Sequence, residues 1–305
     1  MVCNMVPSSA PLSLSAGLNA DLHCHSTVSD GTQSPEWLAQ HAHDNGVELW
    51  ALTDHDEVGG IARARAAALA LGLPFLAGVE ISITWADKTV HIVGLGVDEQ
   101  NPTLVEGLRR TRGGREARAR DMAAQLALAG IPGAFEGALH YVGNPDLISR
   151  SHFARFLVEQ GICKDMGDVF HHYLTEGKPG FVPHRWASLE DAVGWIRGAG
   201  GIAVIAHPAR YGFPPLQEDA LFDQFCALGG EGVEVVTGSH TPDECLRYRD
   251  RALASHLLAS RGSDFHSPRE SRLDLGTLPP LDAHLTPVWQ RLASRIALPE
   301  GRVLA

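Results

Sequence analysis

Cysteine is scarce and shows no pairing pattern: Cys3, Cys24, Cys163, Cys226 and Cys245 are odd in number and contain no Cys-x-x-Cys. This argues against a disulfide scaffold and points to a reducing compartment. Positive charge is missing from the start of the chain, with no Lys or Arg before Arg63, so the basic region of a secretory signal is absent. No apolar run is long enough to span a bilayer. The net charge of −11 argues against a general nucleic-acid coat, because holding many phosphates requires a basic surface. The expectation is a cytoplasmic protein with no membrane association and no obligate protein partner, and any contact with nucleic acid has to be local.

What is present is a chain of 305 residues, 44% hydrophobic, long enough for one large α/β domain or one domain carrying an insertion. Residues 1–17, rich in Ser, Ala and Pro, read as a flexible tail. Histidine is abundant, at 16 residues, and its placement matters more than its number.

Strands and helices alternate along most of the sequence. "SPEWLAQHAHDNG" has a Ser N-cap, a Pro in the first turn and a Gly past the end, which predicts a short helix. "VELWALTDHDEVGG" is a strand running into polar residues, and "PFLAGVEIS" and "TVHIVGLGV" are further strands. Later, "LEDAVGWIRGAGG", "IAVIAHPAR", "VEVVTGSH" and "LLASRGSDFHSP" continue the rhythm. Such alternation implies parallel strands with crossover helices. His23, His25, His55, Glu80, His207, Asp264 and His266 fall at or just past predicted strand ends, which converge on one face of a closed barrel. Between residues 99 and 185 the rhythm breaks into helices. This block reads as a helical insertion over the barrel mouth, or alternatively as a rearranged part of the barrel itself.

A lone His-x-His is more often structural than functional. On a strand, however, residues i and i+2 share a face, so His23 and His25 can reach one cation. Adding Glu80, His91, His207, Asp264 and His266 makes a mixed imidazole and carboxylate set suited to Zn, Mn or Fe. Cys24, between the two histidines, points the other way and reads as packing. His41, His43, His171, His172, His184, His240, His256 and His284 read mostly as solvated groups.

The ordered stretches "DLHCHSTVSDG", "LTDHDEVGG", "GVEIS", "AHPAR" and "GSDFH" resemble the signature of the PHP (polymerase and histidinol phosphatase) family of metal-dependent phosphoesterases. The resemblance implies a distorted seven-stranded TIM-like barrel over residues 18–98 and 186–305, with residues 99–185 as a substrate-binding insertion. It implies two or three divalent ions: His23, His25, Glu80 and Asp264 on one, Glu80, His91 and His207 on a second, and Asp30, His55 and His266 on a third. A carboxylate at Asp30, where many members have histidine, favours Mn over Zn or Fe. Cations bridged by a carboxylate can hold a hydroxide for attack on phosphorus, with Asp54 and His207 as proton-transfer or orienting groups. Asp54 and Asp56 also read simply as caps of the turn after the strand.

Arginines crowd the insertion. Arg109, Arg110, Arg112, Arg115, Arg118 and Arg120 read mainly as a solvated helix face, while Arg120, Arg150, His152, Lys178 and Arg185 are the candidates for binding a substrate phosphate. The segments "REARARDMAAQL", "SRSHFARFLVEQG" and "YLTEGKPGFVPHRWASLEDAV" resemble the nucleotide-acting branch of the family. That branch includes nucleoside 3',5'-bisphosphate phosphatases and 5'-to-3' exoribonucleases. The resemblance implies removal of the 3'-phosphate from a compound such as 3'-phosphoadenosine 5'-phosphate, giving AMP, with short RNA as a further substrate. The competing readings are a histidinol-phosphate phosphatase or broad phosphoesterase, an amidohydrolase, for which the usual bridging Lys is not evident, and a metal-binding accessory module.

Overall fold

A computed structural model describes residues 11–305. Seven strands form one sheet in sequence order: β1 (Ala20–Asp21), β2 (Leu49–Leu52), β3 (Phe75–Trp85), β4 (Lys88–Leu95), β5 (Ile202–Ile205), β6 (Gly232–Thr237) and β7 (Leu258–Gly262). The β1 and β7 edges meet through Leu22 N to Arg261 O at 3.0 Å and Asp264 N to His23 O at 2.8 Å, bringing the sheet close to a full barrel. β2, β5 and β6 are buried along their whole length, which accounts for their nearly continuous apolar sequence. Around them, the helix Pro35–Asp44 begins as its sequence predicts. The Ser34 side chain accepts from Trp37 N, Pro35 opens the first turn, and Gly46 follows the end with φ 73°.

The sheet is not parallel throughout, contrary to the alternation argument. β3 and β4 form an antiparallel hairpin closed by the Trp85–Lys88 pair, and β4 also runs antiparallel to β5. The two turn residues, Ala86 and Asp87, both have positive φ (47° and 60°), the backbone that a tight two-residue hairpin needs. Because that turn lacks the usual glycine, the sequence reads as two separate strands. Glu80 therefore lies within a long strand instead of at its end. It sits opposite Val93, and Ser82 sits opposite His91.

Two hydrophobic cores are present among the described residues. The barrel core extends into the helix Pro102–Arg112 through Leu104 and Leu108. A second cluster, running from Ala119 to Leu174, joins the helices Arg115–Leu128, Ala134–Leu139 and Arg150–Glu159. The separate helical layer thus starts later than residue 99, because the first helix packs on the barrel. Of the expected tail, residues 1–10 lie outside the described residues, and the part after them is anchored. Leu12 is buried, its N–H donates to Val303 O at 2.8 Å, and its carbonyl accepts from Ala305 N at 3.0 Å. No described helix is long and apolar enough to cross a membrane.

Candidate metal centre

Glu80 is the hub of the site, fully buried and surrounded by five imidazoles. Its Oε2 lies 3.3 Å from His23 Nε2, 3.3 Å from His25 Nε2 and 2.9 Å from His55 Nδ1. Its Oε1 lies 2.9 Å from His91 Nδ1 and 3.0 Å from His207 Nε2. The hairpin register makes Glu80 and His91 diagonal neighbours on one face. The β1–β7 seam adds Asp264, whose Oδ1 is 3.2 Å from His25 Nε2 and 3.5 Å from His23 Nε2. Asp30 Oδ1 faces His266 Nε2 at 3.3 Å and His55 Nε2 at 3.9 Å.

These donors fall into three overlapping groups, His23/His25/Glu80/Asp264, His25/Asp30/His55/His266 and His55/Glu80/His91. His207 attaches through Glu80 Oε1 and is not a member of the third group. The donor chemistry fits divalent cations. His23 Nε2, both ring nitrogens of His25, Asp30 Oδ1, His55 Nδ1, Glu80 Oε2 and His91 Nδ1 are buried without a hydrogen-bond partner. Buried polar atoms are otherwise nearly always satisfied, and here the unpaired ones point at one another.

The protein's own charges show how strongly the cage attracts positive charge. Burial acts to lower the His25 imidazole, but the carboxylates of Asp264 and Glu80 outweigh it and push it up to about 10. Burial would raise Asp264, Glu80 and Asp30, yet the surrounding imidazoles hold all three well below the usual carboxylate range. A His25 pKa above neutrality means that a cation arriving at pH 7 must displace a proton from it. Mn²⁺ titration calorimetry in buffers of different ionisation enthalpy is therefore expected to show net proton release, with affinity rising with pH. Proton uptake on binding would contradict this.

Partners outside the cage hold its members in place. Glu234, in the apolar run of β6, accepts from His23 Nδ1 at 2.7 Å and from His207 N at 2.7 Å, fixing the ring so that Nε2 faces the centre. Asp54 accepts from Ser26 N (2.7 Å), Ser26 Oγ (2.7 Å) and Ser29 Oγ (2.6 Å). These three bonds use both of its oxygens and shape the turn from His25 to Asp30. Cys24 packs, with its Sγ 3.3 Å from Ala51 O and 3.2 Å from Trp50 Nε1. At the seam, a Cβ added to Gly262 would stand 2.3 Å from His23 Cβ and 2.6 Å from His23 N. Gly262→Ala is expected to cost about 1–3 kcal/mol of stability by overpacking and to weaken Mn²⁺ binding, as read by thermal unfolding with and without the ion.

A PHP domain matches residues 21–132. The 3',5'-nucleoside bisphosphate phosphatase of Chromobacterium violaceum is 51% identical over 281 residues, covering 92% of this chain and 99% of its own. The chain belongs to the PHP family. The 5'-3' exoribonuclease Rnm of Escherichia coli is 41% identical over 272 residues, 88% of this chain and 92% of that protein. Among solved structures, a Chromobacterium violaceum protein described as an amidohydrolase, with bound sulfate and no metal, superposes with a TM-score of 0.90 at 51% identity, covering 92% of this chain and 98% of its own.

Above the PHP centre, one cavity joins the donors to a group of arginines. Arg115, Arg118, Arg150 and Arg210 line it together with Glu80, His91, Asp264 and His266. Of the residues expected to bind substrate, only Arg150 is among them. Arg120 pairs with Glu116 at 2.7 Å on an exposed helix face. Lys178 and Arg185 do not line the cavity. His152 is buried behind it, its Nδ1 accepting from Ser149 N at 3.0 Å and its pKa pushed down to about 4 by burial. Sequence reasoning set Arg115 and Arg118 aside and missed Arg210 and Glu234. Arg115 is held by Asp56 and stacks 4.5 Å from the Trp186 ring. Arg210 pairs with Asp264 at 2.6 Å, and Arg118 is brought down to about 9 by burial and by the neighbouring Arg150 and Arg115 charges, as expected for cations crowded together in a buried place. His240, expected in solvent, is buried and stacks on Tyr248.

Proposed function

We propose that this chain removes the 3'-phosphate of nucleoside 3',5'-bisphosphates, such as 3'-phosphoadenosine 5'-phosphate, yielding AMP and inorganic phosphate. The same geometry would serve 5'-to-3' hydrolysis of short RNA. One observation carries the reading: a single cavity has a metal-type donor cage at its floor and four arginines on its wall, two separate places for phosphate on one ligand. The similarity to a bisphosphate phosphatase and to exoribonucleases supports it.

Two or three divalent ions, Mn favoured with Zn or Fe as alternatives, would be held by His23, His25, Glu80 and Asp264, by Glu80, His91 and His207, and by Asp30, His55 and His266. Bound there, they supply Lewis acidity toward phosphoryl oxygens and lower the pKa of water. Glu80 divides its oxygens between the first two groups. His207 is held neutral, pushed down to about 3 by burial and then by Arg210, which suits a ligand better than a proton donor. Arg150 and Arg118 would grip the 5'-phosphate through charge-assisted bonds, setting the 3'-phosphorus over the cage. A glutamate at the bridging position, in place of a lysine, disfavours the amidohydrolase reading. Among the described residues Cys24, Cys163, Cys226 and Cys245 are free thiols, in keeping with a cytoplasmic location.

Phosphate release from the 3',5'-bisphosphate should exceed that from a plain 3'-nucleotide, a 5'-nucleotide or histidinol phosphate by at least about tenfold in kcat/KM, the equivalent of one good contact. Equal rates on the monophosphates would remove the anchoring role and leave a broad phosphoesterase.

A further inference from the structure

A second mixed donor set lies in the helical layer, outside the barrel cage. Cys163 follows the helix Arg150–Glu159, Asp168 lies in the short helix Met166–Val169, and His172 lies in the π-turn Phe170–Leu174. One ligand atom of each falls within 4.8 Å of the other two. Cys163 is buried, Asp168 half-buried and His172 exposed, so the group opens to solvent on one side. The backbone fixes its geometry. Asp165 Oδ1 accepts from Asp168 N at 2.8 Å and Lys164 N donates to Asp168 Oδ2 at 3.3 Å, while His172 Nδ1 donates to the Asp168 carbonyl at 2.9 Å and stands 3.2 Å from Asp168 Oδ1, which leaves His172 Nε2 as the nitrogen free for a cation.

We propose that Cys163, Asp168 and His172 form a separate zinc site, with water in the fourth position. A thiolate, an imidazole and a carboxylate are the donors Zn²⁺ accepts in tetrahedral sites, and thiolate favours it over Mn or Mg. The spacing Cys-x4-Asp-x3-His puts the last two donors on one helical face, and a π-turn is a frequent companion of functional positions. The site is tied to the cavity through the residues between its donors. Met166 and Phe170 line the hollow beside the barrel mouth, and Phe170 also lines the arginine cavity, 5.7 Å from the Arg150 guanidinium. Zinc here would clamp the turn that carries the Phe170 wall. The binding claim stands on its own donors, and only an effect on turnover would rest on the function proposed above.

Cobalt spectroscopy separates the two metal sites, because the barrel donors are all nitrogen and oxygen and only this group contains sulfur. Metal-depleted full-length protein titrated with Co²⁺ should develop a near-ultraviolet thiolate-to-cobalt charge-transfer band, and added Zn²⁺ should abolish it. The band should vanish in Cys163→Ser. In His172→Ala, an exposed change that leaves the fold intact, the apparent Co²⁺ affinity read from the band should fall at least about tenfold. No band at saturating Co²⁺ overturns the proposal. So does a band retained in Cys163→Ser, which would assign it to another of the chain's cysteines, and so does unaltered affinity in His172→Ala.

Discussion

Glu80→Gln is expected to reduce phosphate release at least about 10³-fold while leaving the fold in place. Transition-state charge stabilisation by a single preorganised group is worth about 10²–10³, and Glu80 touches more than one such group. Its Oε2 faces His23, His25 and His55 and its Oε1 faces His91 and His207. A glutamine keeps the volume but loses the charge that five imidazoles surround, so bound Mn²⁺ should drop by at least one ion per chain. The protection that saturating Mn²⁺ gives against thermal unfolding should shrink with it, since an ion stabilises only the state that binds it. Metal content, unfolding midpoint and turnover should therefore move together. Loss of turnover at full metal occupancy would mean that Glu80 does not hold the ions.

Arg150→Ala is expected to act on one substrate and spare another. Hydrogen bonds to charged groups contribute about 1.5–3 kcal/mol, so kcat/KM for the 3',5'-bisphosphate should fall about tenfold to 10²-fold, mostly through KM. A plain 3'-nucleotide, which has no 5'-phosphate to anchor, should change by less than about threefold. The mutation leaves no buried carboxylate unpaired: the guanidinium of Arg150 contacts Leu174 O at 3.5 Å and lies over Phe170. An equal fall on both substrates would mark Arg150 as structural. Arg120→Ala serves as a control, because Arg120 pairs with Glu116 on the exposed face and should leave both substrates unaffected.

The convergence of His23, His25, His55, His207, Asp264 and His266 was legible because each follows a short apolar run that gives way to polar residues, and a closing sheet brings such places together, whereas Glu80 and His91 lie inside β3 and β4. The arginines were harder, since density along the sequence says nothing about helical phase. In the helix Arg115–Leu128 the buried positions are Arg115, Arg118, Ala119, Met122 and Leu126, a 3.6-residue stripe in which two arginines occupy apolar places. Reading the phase would have separated them from Arg120. Glu234 carries the same kind of signal as a carboxylate inside "GVEVVT". Residues at core positions that do not belong in a core pointed to the site better than charge density did. The antiparallel course of β4 had no comparable signal, because its turn uses Ala86 and Asp87 where glycine or asparagine is usual.

That hairpin also sets an order of assembly. β3 and β4 are adjacent in sequence, so closing their turn costs little chain entropy and brings Glu80 and His91 together as a local event. His23 and Asp264 meet only when β1 finds β7, across nearly the whole chain. During refolding, the Glu80–His91 pair can form while the barrel is still open, and His23 reaches Asp264 only when the β1–β7 seam closes.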